Sequence, residues 1–145
     1  MRIPRPIYDE LLAHAREDAP NECCGLVGGR DGELTTYYRV RNAEASPLRY
    51  MLDPSEQLRT NNEMEERGEE LAAIYHSHTG SPAYPSQTDI NLALIDRREG
   101  GKVVGKTPLF PGTIYLIASL AEGEAPLRGF SIDEDGVTEI DLETA

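Results

Sequence analysis

A chain of 145 residues, 39% hydrophobic and 28% charged, is long enough to bury a core without disulfide staples and has the composition of an ordinary soluble globular protein. Its formal charge of −12 argues against nucleic acid as a partner, because phosphate binding rests on Lys and Arg neutralising the backbone. No apolar run approaches the roughly 20 residues of a membrane span and the N-terminus lacks the apolar core of a signal peptide, so a cytoplasmic protein that engages no membrane is expected.

From Arg5 to Asp18, the residues Ile7, Tyr8, Leu11, Leu12 and Ala15 share one stripe, which predicts an amphipathic helix ended by Pro20. His14 falls one step off that stripe and is expected to be partly exposed. Asn21-Glu22-Cys23-Cys24-Gly25-Leu26-Val27-Gly28-Gly29 reads as a short buried strand closed by a glycine turn, with Asp31-Gly32 leading into a hairpin partner over Leu34 to Val40. Adjacent cysteines are ill-placed for a structural disulfide and fit a reducing compartment. Cys24 reads as a small buried core residue, with a thiol nucleophile as the sharper alternative.

Arg41 to Pro47 reads as loop and Tyr50 to Leu52 as a short strand. Asp53-Pro54-Ser55-Glu56 then sets an N-cap, an N1 proline and an N3 glutamate in order, so a second helix runs from there toward Gly68. With little apolar content beyond Leu58 and Met64 it is expected on the surface, where Glu56, Glu63, Glu65 and Glu66 form a solvated face. Leu71 to Tyr75 reads as a strand continuing into His76-Ser77-His78. Pro85-Ser86 starts a third helix, whose apolar residues Ile90, Ala93 and Leu94 recur at helical spacing and which fades by Arg98. The stretch onward through Gly100-Gly101 to Pro111-Gly112 reads as a mobile surface loop. Thr113 to Ser119 is a continuous apolar run, expected as a central strand covered on both faces. Leu127 to Ile132 and Val137 to Leu142 are expected as an antiparallel hairpin at the sheet's end. The sum over residues 1–145 is one domain of the α/β or α+β class, a mixed central sheet flanked by about three helices.

The chemistry concentrates in the middle of the chain. Side chains two apart on a strand point to one face, so His76 and His78 project together, and Asp89 falls in the first turn of the following helix. Two imidazoles and a carboxylate are ligands that zinc takes in catalytic sites, where the fourth place is left to water. Asp89 has a second reading, since Ser86-x-x-Asp89 is a capping box in which the carboxylate bonds backbone donors. Ser86 likewise reads either as a plain N-cap or as a hydroxyl donor to an oxyanion. Glu22 stands at the mouth of a buried strand, as an exposed loop residue or as the carboxylate that relays a proton during amide hydrolysis.

His76-Ser77-His78, ten residues, then Asp89, with Pro85-Ser86 between, resembles the JAMM (MPN+) metalloprotease motif, and Asn21-Glu22-Cys23-Cys24-Gly25 resembles the upstream segment carrying that family's glutamate. Ala13-His14-Ala15-Arg16, Arg41-Asn42-Ala43-Glu44 with Ser46-Pro47, and Glu56-Gln57-Leu58 resemble its bacterial branch, whereas Arg98 to Leu109 stands out as an insertion. The resemblance implies the MPN fold, related to cytidine deaminases; the deaminases' own His-x-Glu and Pro-Cys-x-x-Cys signature is absent. It further implies one Zn2+ per chain on His76, His78 and Asp89, with Glu22 as general base and proton shuttle and Ser86 steadying the oxyanion. The implied substrate is the C-terminal tail of a ubiquitin-like sulfur-carrier protein joined to cysteine, which hydrolysis releases in cysteine biosynthesis. Two rivals are a JAMM isopeptidase acting on a lysine-linked modifier and an inactive MPN scaffold, and a homodimer is one assembly left open by the sequence.

Overall fold

In the computed structural model, which describes residues 1–145, a two-residue strand, β1 (Arg2–Ile3), leads into helix α1 (Arg5–Asp18). Pro6 stands in the first turn, where a missing N–H leaves no bond unmade. Ile7, Leu11, Leu12 and Ala15 form the buried stripe, as the spacing predicts. His14 is buried too, contrary to expectation, with its Nδ1 2.7 Å from the Tyr37 hydroxyl and its Nε2 3.2 Å from the Asp18 carboxylate. A partner 23 residues away satisfies the ring, which lets a polar side chain extend the helix's inner face.

Strands β2 (Cys24–Arg30) and β3 (Glu33–Val40) form the expected hairpin, turning through Asp31 and Gly32, both at positive φ. Tyr50 to Leu52 forms no strand; a single bridge joins Asn42 to Leu52. Helix α2 (Pro54–Glu66) begins where the Asp53 carboxylate accepts from the Glu56 N–H at 3.0 Å. It buries only Thr60 and Met64, while Leu58 is exposed, so it lies on the surface as expected.

Strand β4 (Glu70–His78) carries the histidines, and helix α3 (Gln87–Ala93) carries Asp89. Beyond Ala93 the structure departs from the sequence reading. The helix ends there, and a hairpin of β5 (Leu94–Glu99) and β6 (Lys102–Pro108) replaces the expected loop. Gly100 and Gly101 take φ of 57° and 81°, the paired positive values that a two-residue hairpin turn demands. Strands β7 (Ile114–Ser119), β8 (Leu127–Asp133), β9 (Gly136–Ile140) and β10 (Glu143–Thr144) complete the chain.

The main sheet runs β3-β2-β4-β7-β8-β9, antiparallel except for the parallel pair β4 and β7, and the β8–β9 hairpin sits at its end. Two-residue alternation divides its core. Val27, Ala73, Tyr75 and Leu116 face α1, while Leu26, Ile74 and Tyr115 face Met64 of α2 and Ala93 of α3. Each such large side chain contributes roughly 1.5–3 kcal/mol when withdrawn from water. The Tyr75 hydroxyl donates to the Leu11 carbonyl at 2.6 Å, locking α1 onto the strand that ends in the histidines.

Candidate active site

Strand pairing brings the upstream acid to the histidines. In the antiparallel β2–β4 ladder Cys24 faces His76, and just beyond it Ser77 N–H donates to the Cys23 carbonyl at 3.1 Å while Cys23 N–H donates to Ser77 Oγ at 2.9 Å. One step further along this register Glu22 stands beside His78. Ligand-capable atoms of Glu22, His76 and His78 all lie within 4.8 Å of one another, and the three residues are buried.

Helix α3 supplies the fourth group. Its N-terminus is a capping box, in which Ser86 Oγ accepts from the Asp89 N–H at 3.0 Å and Ser86 N–H donates to Asp89 Oδ2 at 2.9 Å. The same Oδ2 lies 3.0 Å from His76 Nε2 and 3.1 Å from His78 Nε2, which are themselves 3.1 Å apart. Cap and cluster are therefore compatible: the cap aims the carboxylate at the imidazoles.

This triangle suits a metal ion. Its edges of 3.0–3.1 Å approach the roughly 3.3 Å between ligands of a tetrahedral zinc site with bonds of about 2.0–2.1 Å. His78 Nδ1 lies 2.7 Å from the Pro82 carbonyl, which can only accept, so the proton sits on Nδ1 and neutral His78 turns the Nε2 lone pair inward. Neutral His76 can donate from Nε2 to Asp89 Oδ2, but the His78 Nε2 lone pair then faces the same oxygen at 3.1 Å, a repulsive contact that a cation would relieve. His76, His78 and Asp89 would hold the metal. Glu22 accepts no hydrogen bond from either imidazole and has Oε1 buried without a partner.

Electrostatics agree with these placements. Burial opposes ionisation of Asp89, but the two imidazoles and the Ser86 N–H outweigh it and hold the carboxyl well below its usual range. Burial pushes His76 down, with Asp89 partly offsetting it. For His78 burial acts the same way, yet Asp89 and the Pro82 carbonyl outweigh it and the net direction is up. Burial lifts Glu22 to about 7, helped by the Asp89 charge and opposed by His78. A carboxylate at that value is matched to proton transfer at neutral pH.

A cleft of about 280 Å³ opens onto this cluster, lined by Glu22, Pro47, Leu48, His78, Thr79 and Ser86. Ser86 is among its lining residues and its hydroxyl has a proton still to donate, because the bond to Asp89 N–H uses only a lone pair. Both cysteines lie wholly in the core, where burial raises Cys23 to about 11 and Cys24 further, which leaves no thiolate for nucleophilic chemistry.

Sequence reasoning missed two neighbours. Tyr50 stacks on His76 with ring centroids 4.2 Å apart and planes inclined by 18°. Asn42 is buried behind Glu22 and donates from Nδ2 to the Glu22 carbonyl at 3.0 Å. Neither belongs to a periodic element, so periodicity carried no signal for them; the Arg41-Asn42 segment was visible only as part of a resemblance.

Several known proteins are similar to this chain. A Mycobacterium tuberculosis protein named CysO-cysteine peptidase is 44% identical over 93 residues, which are 63% of this chain and 64% of that relative, so just under two thirds of the relative's length is spanned. A desampylase of Haloferax volcanii is 35% identical over 118 residues, 77% of this chain and 74% of its own. A Thermus thermophilus protein named as a probable TtuB-protein conjugate cleaving protease is 40% identical over 92 residues, 63% of this chain and 62% of its own. Among solved structures, a Desulfitobacterium hafniense protein superposes with a TM-score of 0.80 at 36% identity, covering 100% of this chain and 93% of its own. A JAB1/MPN domain protein of Archaeoglobus fulgidus, at 18% identity and TM-score 0.59, covers 100% of this chain and 99% of its own and shares the fold. Residues 4–127 match the family described as prokaryotic homologs of the JAB domain, and the chain belongs to that family.

Proposed function

We propose that the protein is a zinc-dependent metallopeptidase that hydrolyses the amide between the C-terminus of a ubiquitin-like sulfur-carrier protein and cysteine, releasing free cysteine. The observation that carries the reading is the convergence of His76 Nε2, His78 Nε2 and Asp89 Oδ2 at 3.0–3.1 Å beside an unpartnered buried carboxylate. Held by His76, His78 and Asp89, zinc would supply Lewis acidity and would acidify water to a pKa of about 7. Glu22 accepts a proton from the attacking water and later delivers it to the leaving nitrogen, so the water oxygen joins the carbonyl carbon as the carbon–nitrogen bond breaks. Ser86 Oγ donates to the oxyanion formed between those events. Pro47, Leu48 and Thr79 wall the cleft in which the scissile amide lies.

The name of the Mycobacterium relative supports cysteine as the leaving group, while the names of the Haloferax and Thermus relatives support a second reading, removal of a modifier from a protein conjugate. Both readings share the proton relay and differ only in the amine released. An inactive scaffold is disfavoured because Glu22, Ser86 and the three ligand residues are all retained. The test is metal analysis of the purified protein together with cleavage of a carrier–cysteine amide and a carrier–lysine isopeptide, each with and without chelator. Bound zinc with chelator-sensitive release of cysteine is expected. Faster cleavage of the isopeptide supports the second reading, and a protein with neither zinc nor cleavage refutes both.

A further inference from the structure

The Glu22 carboxylate makes no hydrogen bond of its own, and Oε1 is buried without a partner, so the residue's polar anchors are those of its main chain. That main chain is tied on both sides. Glu22 N–H donates to the Ser46 carbonyl at 2.9 Å, and the Glu22 carbonyl accepts from Asn42 Nδ2 at 3.0 Å. Both partners belong to the connection between β3 and α2, which has no regular structure of its own.

The Asn42 carboxamide organises that connection. Its second Nδ2 proton goes to the Arg49 carbonyl at 3.0 Å, and Oδ1 accepts from Glu44 N–H at 3.0 Å and Met51 N–H at 2.9 Å. Two donors and two lone pairs are thus all used by a side chain that is 8% exposed. The connection closes on this centre, and from it Tyr50 reaches His76 while Leu48 reaches the cleft.

We propose that Asn42 is a positioning residue: its carboxamide folds residues 42–51 into a clamp on the Glu22 main chain and thereby holds the proton-relaying carboxylate at the His76, His78 and Asp89 cluster. This rests on the reading of Glu22 as general base. No other residue type of that size fills the role. Aspartate has the same shape but presents only acceptors, so it keeps the Glu44 and Met51 N–H groups and sets an anionic oxygen against the Glu22 and Arg49 carbonyls.

The test compares Asn42→Asp with the parent in hydrogen exchange, zinc content and steady-state kinetics on the carrier–cysteine amide. The Glu22 amide should exchange at least about tenfold faster, in keeping with one lost buried hydrogen bond, while the β4 amides keep the parent's protection. With KM and zinc content retained, kcat should fall on the order of 10–100-fold, since about 1 Å of misplacement costs up to a hundredfold. In a Glu22→Gln background, Asn42→Asp should give no further loss of kcat, because its effect passes through that carboxylate. A kcat within about twofold of the parent, unchanged Glu22 exchange, or a full additional loss in the Glu22→Gln background overturns the proposal. Should Asn42→Asp not fold, Asn42→Ser, too short to bridge all four partners, is put through the same measurements. Parent-like turnover of Glu22→Gln alone instead removes Glu22 from the proposed mechanism, and the exchange result still decides whether the clamp exists.

Discussion

Replacing Glu22 by glutamine should damage activity and improve stability at once, and the structure sets the size of both effects. Burial is the main reason that the carboxyl rises from its ordinary 4.5 to about 7, with the Asp89 charge adding and His78 opposing. Because the folded value lies above the unfolded one, the folded protein binds this proton more tightly. The group therefore favours folding fully below about pH 4.5, and that stability is lost as pH rises through about 7. The gap corresponds to at most about 3 kcal/mol, reduced to about 2 once solvent entering from the cleft is allowed for. Glutamine keeps the shape and cannot ionise. Chelator-treated Glu22→Gln should accordingly melt about 4–8 °C above the chelator-treated parent at pH 8 and together with it at pH 4.5. Zinc-loaded, the variant should lose on the order of 10²–10⁴ in kcat with zinc content unchanged, because the metal's three side chains are separate from the proton relay. Calorimetry at the two pH values and a cleavage assay at pH 7.5 measure these quantities. Equal melting of variant and parent at pH 8, or turnover within threefold of the parent, refutes the reasoning.

Asp89→Ala should lose zinc and turnover together, and loss of its bond to Ser86 N–H should cost about 1 kcal/mol in urea unfolding of the metal-free protein; zinc retained as in the parent leaves Asp89 a capping residue only. Tyr50→Leu removes the ring stacked on His76, and with aromatic pairs contributing about 0.5–1.5 kcal/mol it should weaken zinc affinity about 2–10-fold in competition with a chromogenic chelator; unchanged affinity dismisses the stack as a support. Glu69, buried where α2 meets β4, accepts hydrogen bonds from Thr35, Thr36 and Tyr38, so Glu69→Ala should cost on the order of 3 kcal/mol by urea unfolding at pH 7. Burial raises the Glu69 carboxyl, but the three hydroxyls outweigh it and the net direction is down, so its stabilisation is present above about 4.5 and lost as pH falls through the lower folded value. A Glu69→Ala penalty equally large at pH 2.5 and pH 7 contradicts that assignment.

What could be read from the sequence was whatever is periodic or local. The stripe of α1, the β2–β3 hairpin, the apolar run of β7 and the Asp53 cap depend on residues within one or two turns of each other, and each forms where expected. The hairpin of β5 and β6 was also written locally, in Gly100-Gly101 between chargeable strands, but taking the helix on to Arg98 hid it. His14, Glu69 and Asn42 were not readable. Each is a polar residue whose burial depends on partners far along the chain: Tyr37 for His14, the β3 hydroxyls for Glu69, and the Glu22 carbonyl for Asn42. A polar side chain takes its meaning from what it bonds, and neither charge nor hydropathy reveals a partner across a sheet. The cluster of His76, His78 and Asp89 escaped this limit because one strand and one helix start, both locally encoded, aim all three side chains.

The same contrast explains how so destabilising a site is kept. His76, His78, Asp89 and Glu22 are each no more than 4% exposed, with His76 Nδ1 and Glu22 Oε1 lacking any partner. Unpaired polar atoms of this kind cost roughly 1–3 kcal/mol each and would be lost to rearrangement if their backbone could move. It cannot move cheaply. Ser77 and Cys23 exchange hydrogen bonds between the two histidines, the Ser86 cap fixes the start of α3, and Asn42 secures Glu22 from the opposite side. Every one of those anchors is satisfied, whereas the groups they present are left wanting a cation or a proton. Saturated hydrogen bonding in the frame and unsatisfied atoms at the centre are the two halves of one arrangement, in which the fold's surplus stability preserves a reactive geometry.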